Sequence, residues 1–61
     1  MLSKKMQAAL NDQINAELAS AHLYLAMSAH CEASSMSGMA AWLRKQAKEE
    51  VGHAMKIFDY V

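Results

Sequence analysis

Sixty-one residues make one small domain at most, and 54% hydrophobic side chains are more than so short a chain hides alone, so part of its surface is expected to meet another chain. Six acidic and six basic residues cancel, which removes the electrostatic case for nucleic acid or an anionic membrane as partner. A single cysteine, Cys31, excludes an intrachain disulfide; with no membrane-length apolar run and no signal-peptide core at the start, the expected setting is soluble and cytoplasmic.

Proline is absent and the only glycines are Gly38 and Gly52. Alanine, leucine, methionine, lysine, glutamine and glutamate dominate, all good helix formers, and no alternating strand pattern occurs. The fold class is therefore all-α. Ser3 is placed to cap a first helix that begins at Lys4. Met6, Leu10, Ile14, Leu18, Ala21, Leu25 and Ser28 then recur at spacings of three and four, the stripe of a core-facing helix. Nothing breaks the run before Ala33, so the first helix is expected over about residues 4–33.

Ser34-Ser35-Met36-Ser37-Gly38 is the one turn-like stretch, because serines compete for backbone hydrogen bonds and favour helix ends. The second N-cap is expected at Ser35 or Ser37, the turn over about 34–38 and the second helix over about 39–60. Its stripe is Met39, Leu43, Gln46, Glu50, His53 and Ile57, with Trp42, Ala47, Ala54 and Phe58 beside it. Gly52 costs such a helix about 1 kcal/mol relative to alanine, and a close approach of a neighbouring helix there would explain it. Val61 falls within an apolar pattern with no capping residue, as though the hairpin were cut from something longer or completed by another copy. Residues 1–61 thus read as a long antiparallel helical hairpin. Two such helices bury one face each, and the remaining apolar surface calls for a second hairpin to complete a four-helix bundle.

The hairpin geometry selects a site. Glu17 lies eighteen residues before Ser35 and His53 eighteen after, each about 27 Å from the turn at the usual helical rise. Glu50 lies about 22 Å from it, within one turn of the same level. Glu50 and His53 are three apart and share a helix face. Two carboxylates and an imidazole at one level midway along an apolar core are costly unless compensated, and a cation compensates them. That donor set suits iron, manganese or zinc. One hairpin supplies two carboxylates and one histidine. Two hairpins about a twofold axis supply four and two, the ligand set of ferritin-like di-iron proteins.

The stretches Leu10-Asn11-Asp12-Gln13-Ile14-Asn15-Ala16-Glu17-Leu18, Tyr24, Met27-Ser28-Ala29, Trp42-Leu43-Arg44, Glu49-Glu50-Val51-Gly52-His53 and Phe58-Asp59-Tyr60 resemble the first two helices of bacterial non-haem ferritins, over essentially the whole chain. The resemblance implies that Glu17, Glu50 and His53 bind a first iron and that Glu50 bridges to a second. It implies that Tyr24 hydrogen-bonds a ligand and takes part in redox steps, and that Glu49 helps bind iron at an adjacent transfer site. It further implies ferroxidase activity, the oxidation of Fe(II) by O2 or H2O2, and storage of ferric iron in a shell of subunits. The later helices that carry the remaining ligands in that family are absent from these 61 residues, so a homodimer or larger assembly is expected to supply them.

The other singular residues read more plainly. His22 and His30 lie off the Glu17 stripe and are expected at the surface or a subunit contact. Cys31 is expected to be inert near a helix end, Trp42 to pack, and the methionines to fill core positions. Bacterioferritins place an axial methionine for haem two residues after the matching glutamate; Gly52 stands there, so no haem is expected. Two alternatives stand beside the iron reading. One is a metal-free assembly hairpin or a fragment without turnover; the other is a di-iron peroxidase of the rubrerythrin type.

Overall fold

The computed structural model describes residues 2–61, and they form two helices, α1 (Lys4–Ala33) and α2 (Ser37–Tyr60), folded back on each other as a hairpin. The all-α hairpin read from composition and periodicity is the observed architecture, with no strand among the described residues. The Cα trace measures 49 × 14 × 8 Å, a single layer two helices wide.

Ser3 begins α1 as its sequence position suggests. Its extended backbone lets the side-chain oxygen accept a 3.1 Å hydrogen bond from the Met6 N–H, satisfying one of the donors orphaned at a helix start. The other end is closed differently from expectation. Ser35 adopts the left-handed region at φ 62° and so reverses the chain. Its N–H donates to the Glu32 carbonyl at 3.1 Å, and the Met36 N–H donates to the Cys31 carbonyl at 2.8 Å. These are the two bonds of a Schellman closure, with serine where glycine is usual. The reversal uses up Ser35, so the N-cap of α2 is Met36, which contributes no side-chain hydrogen bond. Neither Ser35 nor Ser37 is that cap, and α2 starts at Ser37, inside the stretch expected to be turn.

The seam between the helices is narrower than the sequence stripes. Ala21 and Ser28 of α1 and Ala40, Leu43, Ala47 and Ala54 of α2 are buried. Small side chains at the closest approach let the backbones come near enough for the Ser28 hydroxyl to donate to the Ala40 carbonyl at 2.6 Å. Met6, Leu18 and Leu25, expected on the inner stripe, remain exposed, as do Met39, Trp42 and Phe58. Two helices touch along a line, and a wide apolar stripe needs a second layer to cover its flanks. On one flank Leu18, Leu25 and Val51 line an open groove of ≈ 450 Å³, with His22, Arg44 and Lys48 among its walls.

At Gly52 a Cβ would meet nothing within 4 Å, so the close approach expected there is not made by the other helix of this chain. No helix of the described residues is long and apolar enough to cross a membrane.

Candidate metal centre

Equal distances from the turn bring α1 and α2 residues to one level, and the structure places Glu17, Glu50 and His53 together there. One ligand atom from each lies within 4.8 Å of the others. His53 Nδ1 is 3.5 Å from Glu17 Oε2 on the opposite helix and 3.9 Å from Glu50 Oε2 one turn back on its own. Gln13, one turn before Glu17, donates from Nε2 to Glu17 Oε1 at 3.0 Å. The two oxygens of Glu17 are thus sorted: Oε1 is held by an amide, and Oε2 faces the site.

The cluster is not sunk in a core, contrary to expectation. The Glu17 and Glu50 side chains are 18% and 21% exposed, whereas that of His53 is 55% exposed. The carboxylates are shielded by the helix seam, but a single layer leaves the imidazole side open. Approach of a cation from that side needs no movement of the helices.

The two carboxyls divide their protons unequally. The hydrogen bond shared with Glu17 pushes the Glu50 carboxyl above the ordinary glutamate value; burial adds to this, and the charges of Glu17 and Glu49 push the same way. The Glu17 carboxyl lies below that value, first through the hydrogen bond with Glu50 and second through the Gln13 amide, with His53 adding a smaller effect. Like charges at this separation resist joint ionisation, so one proton is retained more tightly than on a lone glutamate. A divalent cation bound between the two carboxyls would replace that proton and relieve the repulsion. Two carboxylate oxygens and one ring nitrogen, with one side open, match the donor set of iron, manganese and zinc and leave coordination positions free.

The remaining site residues stand further out. Glu49 is exposed and lies outside the three-residue cluster, though its charge reaches Glu50. Tyr24, two turns along α1 from Glu17, is half-buried and makes no side-chain hydrogen bond among the described residues. His22 and His30 are exposed, and the free Cys31 is half-buried near the end of α1. Gln13 was not singled out from the sequence. Its signal was available, since an amide four residues before a carboxylate on a helix is placed to hydrogen-bond it.

With the geometry in hand, the chain can be set beside known proteins. The family described as "Ferritin-like domain" matches residues 7–61. The whole chain is 49% identical to a bacterial non-heme ferritin of Bacteroides fragilis, and 51% identical to one of Staphylococcus epidermidis and 49% to one of Staphylococcus aureus. It covers 38% of the first relative's length and 37% of the other two, so it spans under two fifths of the proteins it resembles. No solved structure matches it. By the extent of that match, the chain belongs to the ferritin-like domain family.

Proposed function

We propose that this chain is an iron-binding ferritin-like module in which Glu17, Glu50 and His53 hold Fe(II) for oxidation by O2 or H2O2. The observation that carries the reading is the convergence of those three donors, one from α1 and two from α2, within 4.8 Å. Family membership and the bacterial non-heme ferritin relatives add to it. Glu17 and Glu50 supply negative charge that favours Fe(III) over Fe(II), and His53 supplies a neutral nitrogen donor that leaves the site open on its own side. Gly52 offers no side chain to a haem iron, so the iron is taken as the ion itself.

One chain provides too few donors for two iron ions held close enough to give electrons to one oxidant. Self-association supplies them: a twofold copy brings a second Glu17, Glu50 and His53. Support comes from the apolar side chains that the hairpin leaves exposed on both helices, including Leu25, Met39, Trp42 and Phe58. Glu49 serves such an assembly as an auxiliary ligand at the rim, and Tyr24 as a hydrogen-bond donor to the ligand shell. A free cysteine with no disulfide partner in the chain suits a reducing bacterial cytoplasm.

The test is the rate of Fe(II) oxidation after anaerobic loading and mixing with O2. The parent chain oxidises the added iron faster than buffer does, and Glu17→Ala or His53→Ala returns the rate to the buffer value. Equal rates in the parent and both variants would remove the ferroxidase reading and leave an assembly hairpin.

A further inference from the structure

We propose that Gln13 is a positioning residue that makes Glu17 a one-oxygen metal ligand. The inference rests on the metal-binding reading above and deepens it. Gln13 Nε2 lies 3.0 Å from Glu17 Oε1, an ordinary amide-to-carboxylate hydrogen bond, while Glu17 Oε2 points to the cluster and stands 3.5 Å from His53 Nδ1. A carboxylate with both oxygens free can clasp a cation with two bonds or swing between one and two. The amide on Oε1 takes up one of its lone pairs and biases Glu17 toward binding through Oε2 alone. It fixes the carboxylate plane and directs the lone pairs of Oε2 toward the space between Glu50 and His53.

A plain surface pair at this spacing adds little to helix stability and serves nothing else. Three features set Gln13 apart from such a pair. The acceptor is one of the three clustered donors and is mostly covered, whereas Gln13 itself is exposed and lies off the buried seam. The hydrogen bond is made on Oε1 and not on Oε2, the oxygen that stands 3.5 Å from His53 Nδ1, so it orients Glu17 without occupying that oxygen. The donor is also uncharged. A lysine or arginine at position 13 would hold the same oxygen but would place a positive charge next to an incoming cation. An amide fixes the direction without that repulsion. The coordination positions that Glu17 then leaves unfilled stay open to the oxidant.

Co(II) is a suitable probe because it stays in one oxidation state in air and its visible absorption weakens as its coordination number rises. Titration of the full chain with Co(II), followed by absorption and calorimetry, is made for the parent, Gln13→Leu and Gln13→Arg. Removing a residue that orients a metal ligand typically costs tenfold or more, so Gln13→Leu is expected to bind Co(II) about 10-fold more weakly. Its bound spectrum is expected to be less intense, as Glu17 closes on the ion with both oxygens. Gln13→Arg restores the donor and returns the spectrum to the parent's form, while its charge keeps affinity low. A loss of helix would show in circular dichroism and cannot restore a spectrum. If the parent binds Co(II) and Gln13→Leu matches it in both affinity and spectrum, the positioning role is overturned and the metal site stands. If Gln13→Arg keeps the spectrum of Gln13→Leu, the role is likewise overturned. A parent that binds no Co(II) overturns the metal site and this role with it.

Discussion

Ser28 and Ala40 face each other across the hairpin, joined by a 2.6 Å hydrogen bond from the serine hydroxyl to the alanine carbonyl. Among the described residues it is the sole hydrogen bond from a side chain of one helix to the backbone of the other. It lies between the turn and the Glu17–Glu50–His53 cluster and therefore helps set the register on which the cluster depends. A slip of one helical turn would separate Glu17 from His53 by about 5 Å. Ser28→Ala is expected to lower stability by about 1 kcal/mol, read as a lower urea midpoint with an unchanged slope. An unchanged midpoint would mean that the alanine seam holds the register alone.

Ser35 carries a conformational cost. A left-handed residue with a Cβ costs about 1–2 kcal/mol, which glycine avoids. Glycine also loosens the unfolded chain, at about 0.4–1 kcal/mol. Ser35→Gly is therefore expected to stabilise the hairpin by about 0.5–1 kcal/mol in urea unfolding, whereas Ser35→Val at the same φ destabilises it.

Gly52 has open space where a side chain would stand. Gly52→Ala is expected to raise stability by about 0.8–1 kcal/mol, the difference in helix propensity between the two residues. Destabilisation instead would show that a partner copy packs closely on this face of α2.

The unequal carboxyls predict a pH dependence of the metal-free protein. Glu17 is depressed, so it contributes stability above the ordinary value of 4.5 that is lost as pH falls through its folded value. Glu50 is raised, so its contribution is complete below 4.5 and is lost as pH rises through its folded value. Glu50→Gln removes that second loss. Without metal the variant is expected to melt at a higher temperature than the parent at pH 7, and the difference closes as pH falls toward 4.5. The same variant is expected to lose metal affinity by more than about tenfold, because one of the three proposed ligands has gone. A variant no more stable than the parent at pH 7 would contradict the shared proton.

Much of the fold is legible in the sequence because it follows from period and distance. The absence of proline, the three-and-four spacing and one serine-rich break give two helices, and equal chain lengths on either side of Ser35 bring Glu17 level with His53. Other features depend on details that spacing does not carry. Leu18 and Leu25 have the right period to be buried, but the contact line runs through Ala21 and Ser28, and a lone hairpin has nothing to cover its flanks. Serine at position 35 reads as an N-cap by residue type, yet the reversal needs a left-handed residue there and Ser35 takes that role. Gly52 reads as a close contact because glycine in a helix calls for a reason, and the hairpin alone supplies none. The level of the three donors was readable from chain length; the sorting of the Glu17 oxygens by Gln13 required side-chain positions.

Glu17, Glu50 and His53 are proposed to form a metal site that association completes. Native mass spectrometry of the purified chain, with and without anaerobic Fe(II), tests it most directly. Dimers or larger even-numbered assemblies that take up one iron per chain are expected, with no uptake in Glu17→Ala or His53→Ala. A monomer, or an assembly whose mass does not change on addition of Fe(II), would contradict it.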